Sequence, residues 1–178
     1  MRLSTKVKLL VGVLGILASS SSFAAPARVG AQIGYGFNDA YKFDIGVHGG
    51  YTMDEMPIYI GGRFDYFLGS SEDTVLLGTT FSTSSSVWIL GIEGGYDFDV
   101  ADDVMVRPYL GLGFAGVKAS ATVLNTVVSA STTEFAFWPG VAAYLTVADG
   151  FYVGLDMNFR IISGTSAFAM AVPFGMTF

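Results

Sequence analysis

The chain has 178 residues, enough for one domain, and is 52% hydrophobic with only 13% charged residues. No apolar run approaches the ~20 residues a membrane helix needs, and the lack of cysteine excludes disulfides, thiolate metal sites and an acylated lipoprotein N-terminus. A formal charge of −6 argues against nucleic acid as a partner.

The first segment reads as a targeting signal. Arg2, Lys6 and Lys8 make a basic start, Leu9 to Leu17 a short apolar core, and Ala18 to Ala25 a small-residue cleavage region. Cleavage after Ala24 is expected, because a cut after Ala25 would set Pro26 at the scissile bond. A membrane anchor is disfavoured, since the core is too short to span. The expected organisation is a signal peptide over residues 1–24 and one domain over residues 25–178. Loss of the three basic residues takes the formal charge to about −9.

With 23 Gly, 15 Phe and 9 Tyr, the rest reads as all-β. In the first segment Val29, Ala31, Ile33, Tyr35 and Phe37 alternate with Gly30, Gln32, Gly34 and Gly36, and a turn follows at Asn38–Ala40. The second, Tyr41 to Thr52, sets Phe43, Ile45, Val47 and Tyr51 against Lys42, Asp44, Gly46 and His48. The third starts at Ile58 and opposes Ile60, Phe64, Tyr66 and Leu68 to Tyr59, Arg63, Asp65 and Phe67. A long Ser/Thr-rich stretch, Ser70 to Ser86, comes next.

The fourth segment, Val87 to Phe98, puts Trp88, Leu90, Ile92 and Tyr96 outward and Ile89, Glu93 and Asp97 inward. An acidic turn, Asp99 to Asp103, precedes the fifth, Val104 to Val117, where Arg107 and Tyr109 point inward. A second long stretch runs from Lys118 to Thr133. The sixth segment, Glu134 to Val147, and the seventh, Phe151 to Ile162, place Glu134, Asp156 and Arg160 inward. In the last, Ala167 to Phe178, Phe168, Met170, Val172, Phe174, Met176 and Phe178 alternate with Ala, Pro, Gly and Thr. A soluble strand opposes apolar to charged residues. Bulky apolar against small suits a strand between lipid and a crowded lumen.

Eight such strands make an all-β, eight-stranded antiparallel up-and-down transmembrane β-barrel. Connections after even strands are short and acidic, as periplasmic turns are, and the two long ones then face outside. Tyr51, Tyr96, Phe98, Phe151 and Phe178 would sit at the periplasmic rim, and Tyr35, Tyr41, Tyr66, Trp88, Phe135 and Phe159 at the outer rim. A soluble barrel would place its bulky apolar residues inside instead.

The signal peptide, the strand count and the terminal strand carrying Phe174, Met176 and Phe178 give the chain its family likeness. It resembles the small eight-stranded OmpA/OmpX-type outer-membrane proteins of Gram-negative bacteria. The resemblance implies an outer-membrane location among lipid and lipopolysaccharide. It also implies recognition of Phe174, Met176 and Phe178 by the outer-membrane assembly machinery. No peptidoglycan-anchoring role of the OmpA kind is expected, since no periplasmic domain follows Phe178.

Ten charges fall on the inward register: Lys42, Arg63, Arg107 and Arg160 with Asp44, Asp65, Glu93, Asp97, Glu134 and Asp156. An eight-stranded lumen holds little beyond side chains, so these charges must pair or hold water. A turn centred near Gly78 would set Arg63 opposite Glu93, and one near Asp102 would set Asp97 opposite Arg107. A sealed structural core is the leading expectation; a narrow ion or solute path gated by Arg63–Glu93 is the alternative. Glu93→Gln would then lose stability and raise leak current. His48, the only histidine, points inward near Gln32 with no Ser–carboxylate pair converging on it, so a lipid-A-modifying enzyme is the weakest reading. There is no Gly-rich phosphate loop, metal-ligand cluster or nucleophile elbow, and no cofactor is expected.

The long connections contain β-favouring stretches, with Gly78 and Asn125 as hairpin tips. Carrying the third strand to Leu77 gives ~65 Å of strand, far more than the ~25 Å apolar band requires even at ~45° tilt. The surplus would form a four-stranded outer ledge, similar to the protruding sheet of OmpX-type barrels, which is linked to surface interactions. It would offer Val75, Leu76, Leu77, Phe81, Val123, Leu124, Val127 and Val128 to a surface ligand.

Overall fold

The computed structural model describes residues 27–38, 41–76, 79–123, 126–148 and 150–178. The targeting segment, the turn residues Asp39 and Ala40, and the tips Leu77–Gly78 and Leu124–Asn125 lie outside the described residues. Nine strands appear in chain order: β1 (Ala27–Asn38), β2 (Tyr41–Thr52), β3 (Ile58–Leu76), β4 (Thr79–Tyr96), β5 (Phe98–Ala101), β6 (Val104–Val123), β7 (Thr126–Ala148), β8 (Phe151–Ile162) and β9 (Thr165–Thr177). β4 and β5 both pair with β6 and are two parts of one barrel strand, interrupted at Asp97. Each strand pairs antiparallel with its neighbour, and β1 closes on β9 through pairs such as Ala31↔Phe174. The result is a closed, eight-stranded, up-and-down barrel.

The alternation of each strand decides what faces where. Ile33, Phe43, Ile92, Phe114 and Phe159 face outward and are exposed, Ile92 by 66%. Their in-strand neighbours are buried: Gln32, Asp44, Glu93, Ala115 and Asn158. A barrel with bulky apolar residues outside and charges inside is stable only in lipid. Small inward residues make room for rings. A Cβ on Gly111 would lie 2.0 Å from the Trp138 indole, and one on Gly61 2.0 Å from the Tyr59 hydroxyl. Ala167, Ala169 and Ala171 of β9 are likewise buried against the lumen contents.

The two ends differ. At one end the connections are short: Met53–Pro57, Asp102–Asp103 and the tight turn at Gly150 (φ 76°). Asp99, expected in an acidic turn, instead belongs to β5 and pairs with Met105. At the other end β8 and β9 are joined by Ser163 (φ 47°) and Gly164 (φ 81°), a two-residue hairpin with both residues left-handed. Beyond that hairpin's level, β3–β4 and β6–β7 keep pairing up to Leu76↔Thr79 and Val123↔Thr126. β4 and β6 stay joined up to Phe81↔Val123, so the four strands form one continuous ledge.

Candidate functional site

The lumen holds five buried carboxylates (Asp44, Asp65, Glu93, Asp97, Asp156) and three buried guanidiniums (Arg63, Arg107, Arg160). They fall into three layers. Nearest the short turns, Arg107 clamps Asp97 with two bonds, Nε–Oδ1 at 2.5 Å and Nη2–Oδ2 at 2.8 Å. Thr52 Oγ1 donates to the same carboxylate at 2.6 Å. The Arg107 guanidinium stacks 3.4 Å over the Tyr59 ring, which keeps water from its open face.

The middle layer centres on Arg63. Its Nε lies 3.0 Å from Glu93 Oε1, its Nη2 bonds Asp156, and its Nη1 donates to the Tyr109 hydroxyl at 3.2 Å. Tyr109 and Asn158 both donate to Asp156, at 2.7 and 3.0 Å, and the Trp138 indole N–H donates to Glu93 at 2.9 Å. Arg63 and Glu93 are not directly opposite in the ladder: Arg63 pairs with Gly91, and Glu93 with Gly61. A bulge between Leu68 and Ser71 shifts the ladder away from the register that would set the two opposite each other. The long arginine side chain bridges the diagonal.

In the outer layer Arg160 Nη1 meets Asp65 Oδ2 at 2.9 Å, and its Nε donates to Asn158 Oδ1 at 2.9 Å. Asn158 thus links the outer and middle layers. Gln32 Nε2 donates to Asp65 Oδ1 at 2.8 Å, while Asp44 has Arg160 as its ion-pair partner at 3.8 Å and, among the described residues, neither of its oxygens accepts a hydrogen bond. Above these charges Phe67, Val87, Ile89, Ala115 and Ile162 pack an apolar plug, with the Arg160 guanidinium 4.5 Å over the Phe67 ring.

Two of the ten inward charges are half-buried rather than buried. Lys42 is half-buried near the outer end of β2, and half-buried Glu134 is reached by Thr132 Oγ1 at 3.5 Å. His48 Nε2 lies 2.8 Å from the Tyr152 hydroxyl of β8, whereas Gln32 turns to Asp65. Among the described residues no group of His, Cys, Asp or Glu has the geometry to hold a metal. Arg28, also inward by parity, was not expected there. It lies half-buried, 5.6 Å over the Tyr144 ring. The strand alternation contained that signal, as it did for Asn158 and Tyr152.

The outer membrane protein beta-barrel domain family matches residues 7–178. Among solved structures, the chain is similar to the attachment invasion locus protein Ail of Yersinia pestis, at 13% identity and TM-score 0.59 over 88% of this chain and 100% of that one. A major outer membrane protein of Thermus thermophilus aligns at 14% identity and TM-score 0.71, again over 88% and 100%. Neisserial surface protein A aligns at 15% identity and TM-score 0.54, over 85% and 94%. At these identities the likeness is one of fold. No curated protein matches the sequence itself. With the family's domain covering nearly all of a closed eight-stranded barrel whose bulky side faces lipid, this chain belongs to the outer membrane protein beta-barrel domain family and resides in the bacterial outer membrane.

Proposed function

We propose that this barrel has a structural and surface-contact role, without catalysis and without an open pore. Residues 1–24 are the secretory signal in this reading, and Phe174, Met176 and Phe178 on β9 are read by the assembly machinery. The short-turn end is periplasmic and the ledge stands outside the cell, among lipopolysaccharide.

The ledge carries the proposal. β7 over residues 126–135 has β6 on one side, and β8 joins the other only from Ala136↔Ile162. Residues 127–133 are exposed, and the run Val-Val-Ser-Ala-Ser-Thr-Thr carries neither charge nor proline. Those are the usual devices that stop a strand edge from pairing. An extended segment of a partner protein would add there as a further strand. Two observations favour a closed, non-catalytic lumen. The charges meet each other beneath an apolar plug, and His48 is turned to a tyrosine rather than to a serine and a carboxylate.

The test trims the ledge. Replacing residues 71–84 and 119–131 with short turns leaves the lumen layers intact, so heat-modifiable gel migration is retained. Cells displaying the trimmed barrel lose the adhesion to partner cells that the full barrel confers. Equal adhesion by both would overturn the reading.

A further inference from the structure

A second feature of the outer wall lies below the open edge. Outward-facing residues form three rows across β3, β4 and β6. Tyr66, Trp88 and Gly116 are in register in the lowest row, Leu68, Ser86 and Lys118 in the next, and Ser84 and Ser120 in the highest. A groove of about 310 Å³ opens over them. Its lining carries the Lys118 ammonium and the hydroxyls of Ser84, Ser85, Ser86 and Ser120, flanked by Tyr66 and Leu68, and Trp88 lies below it. The wall continues on β7, where Ser131 lies opposite Lys118 and Ser129 opposite Ser120, both exposed.

Lys118 is unusual in this chain. Among the described residues the four arginines lie buried or half-buried toward the lumen and Lys42 is half-buried, so Lys118 is the one fully exposed cation there. One row below it the Trp88 indole lies against bare backbone, since a Cβ on Gly116 would stand 2.2 Å from the ring. Tyr66 and Trp88 belong to the outer aromatic row, which marks the headgroup level of the membrane. Leu90 and Phe114 continue the wall downward as exposed apolar surface.

We propose that this groove binds the phosphorylated sugar headgroup of an outer-leaflet glycolipid. The Lys118 ammonium meets the phosphate, and the hydroxyls of Ser84, Ser86 and Ser120 donate to phosphate and sugar oxygens. The Tyr66 ring supports the sugar, and the acyl chains run past Trp88 down the Leu90–Phe114 wall. A single positive charge at the lipid boundary of an acidic protein suits one phosphate. The unbroken path from groove to apolar wall selects a lipid over a free anion. The inference rests on the outward placement of the ledge.

The experiment is native mass spectrometry of the refolded full-length barrel released from bilayers containing lipid A. Wild type retains phosphorylated lipid A and releases the dephosphorylated form with the same acyl chains. Lys118→Gln retains the phosphorylated lipid about fivefold less well, and Lys118→Arg restores it. Lys118 is exposed, so neither variant disturbs the barrel, and heat-modifiable migration verifies this. Equal retention by wild type and Lys118→Gln, or no preference for the phosphorylated lipid, would overturn the site. Displacement by inorganic phosphate would overturn the lipid as ligand. Orientation is read separately from Val128→Cys, in a chain otherwise free of cysteine, with a membrane-impermeant maleimide on intact cells. Labelling upholds the outward ledge whatever the lipid result. Its absence in a folded barrel would overturn both the ledge's placement and the outer-leaflet ligand.

Discussion

Arg63 is held by two carboxylates and a phenol, and every one of those partners is itself buried. Removing it leaves Glu93 and Asp156 facing each other without a counter-charge. Arg63→Gln is therefore expected to cost about 3–5 kcal/mol of stability, read as a lower urea midpoint of the refolded barrel. Asp44 is the opposite case. Its oxygens accept no hydrogen bond and its nearest cation is shared with Asp65, so Asp44→Asn removes a poorly compensated buried charge. That variant should unfold within about 1 kcal/mol of wild type, and a loss as large as that of Arg63→Gln would refute the distinction. The identities of these inward groups were legible from alternation alone. Their distances were not, because a bulge between Leu68 and Ser71 displaced the ladder, and arginine reach then bridged the offset.

Strand by strand, the packing that decides stability is ring against glycine. At Gly111 any side chain would enter the Trp138 indole, which also donates to Glu93. At Gly94, on the lipid face, a Cβ meets nothing within 4 Å. Gly111→Ala should thus lower stability by about 1–3 kcal/mol while Gly94→Ala is neutral or slightly stabilising. Thermal loss of heat-modifiable migration measures both, and equal effects would mean that the indole moves freely. The strand boundaries were legible at the short-turn end, where Asp and Pro punctuate the chain. At the other end Ser and Thr serve strand and loop alike, so the long connections read as loops with β-favouring pieces. Pairing across four strands settles them as sheet: Ser, Thr and Ala rows gain a ladder that none of them would hold alone.

For the molecule as a whole, three charge layers lie in the lumen beneath Phe67, Val87 and Ile162. In planar bilayers the refolded barrel is expected to be electrically silent. Glu93→Gln removes one counter-charge of Arg63 and leaves a neutral amide oxygen in place of the carboxylate that accepts from Trp138, so it should raise leak current and lower the unfolding midpoint together. Steady channels from the folded wild type would place the function in the lumen instead of on the ledge. The barrel is a rigid platform in this account: closure of β1 on β9 removes its edges within the membrane, and edges reappear only where β3 and β7 outrun their neighbours.

The amino-acid sequence by itself determined the class of fold, the side of each strand that meets lipid, and eight charges that the lumen buries. All three follow from the period of two, which a strand imposes locally and which needs no knowledge of partners. Tertiary structure alone decided which charges touch, that β4 and β5 are one interrupted strand, that β4 and β6 stay joined above the membrane, and that Lys118 gathers hydroxyls from neighbouring strands. Those depend on register between strands, which a single bulge resets for everything beyond it.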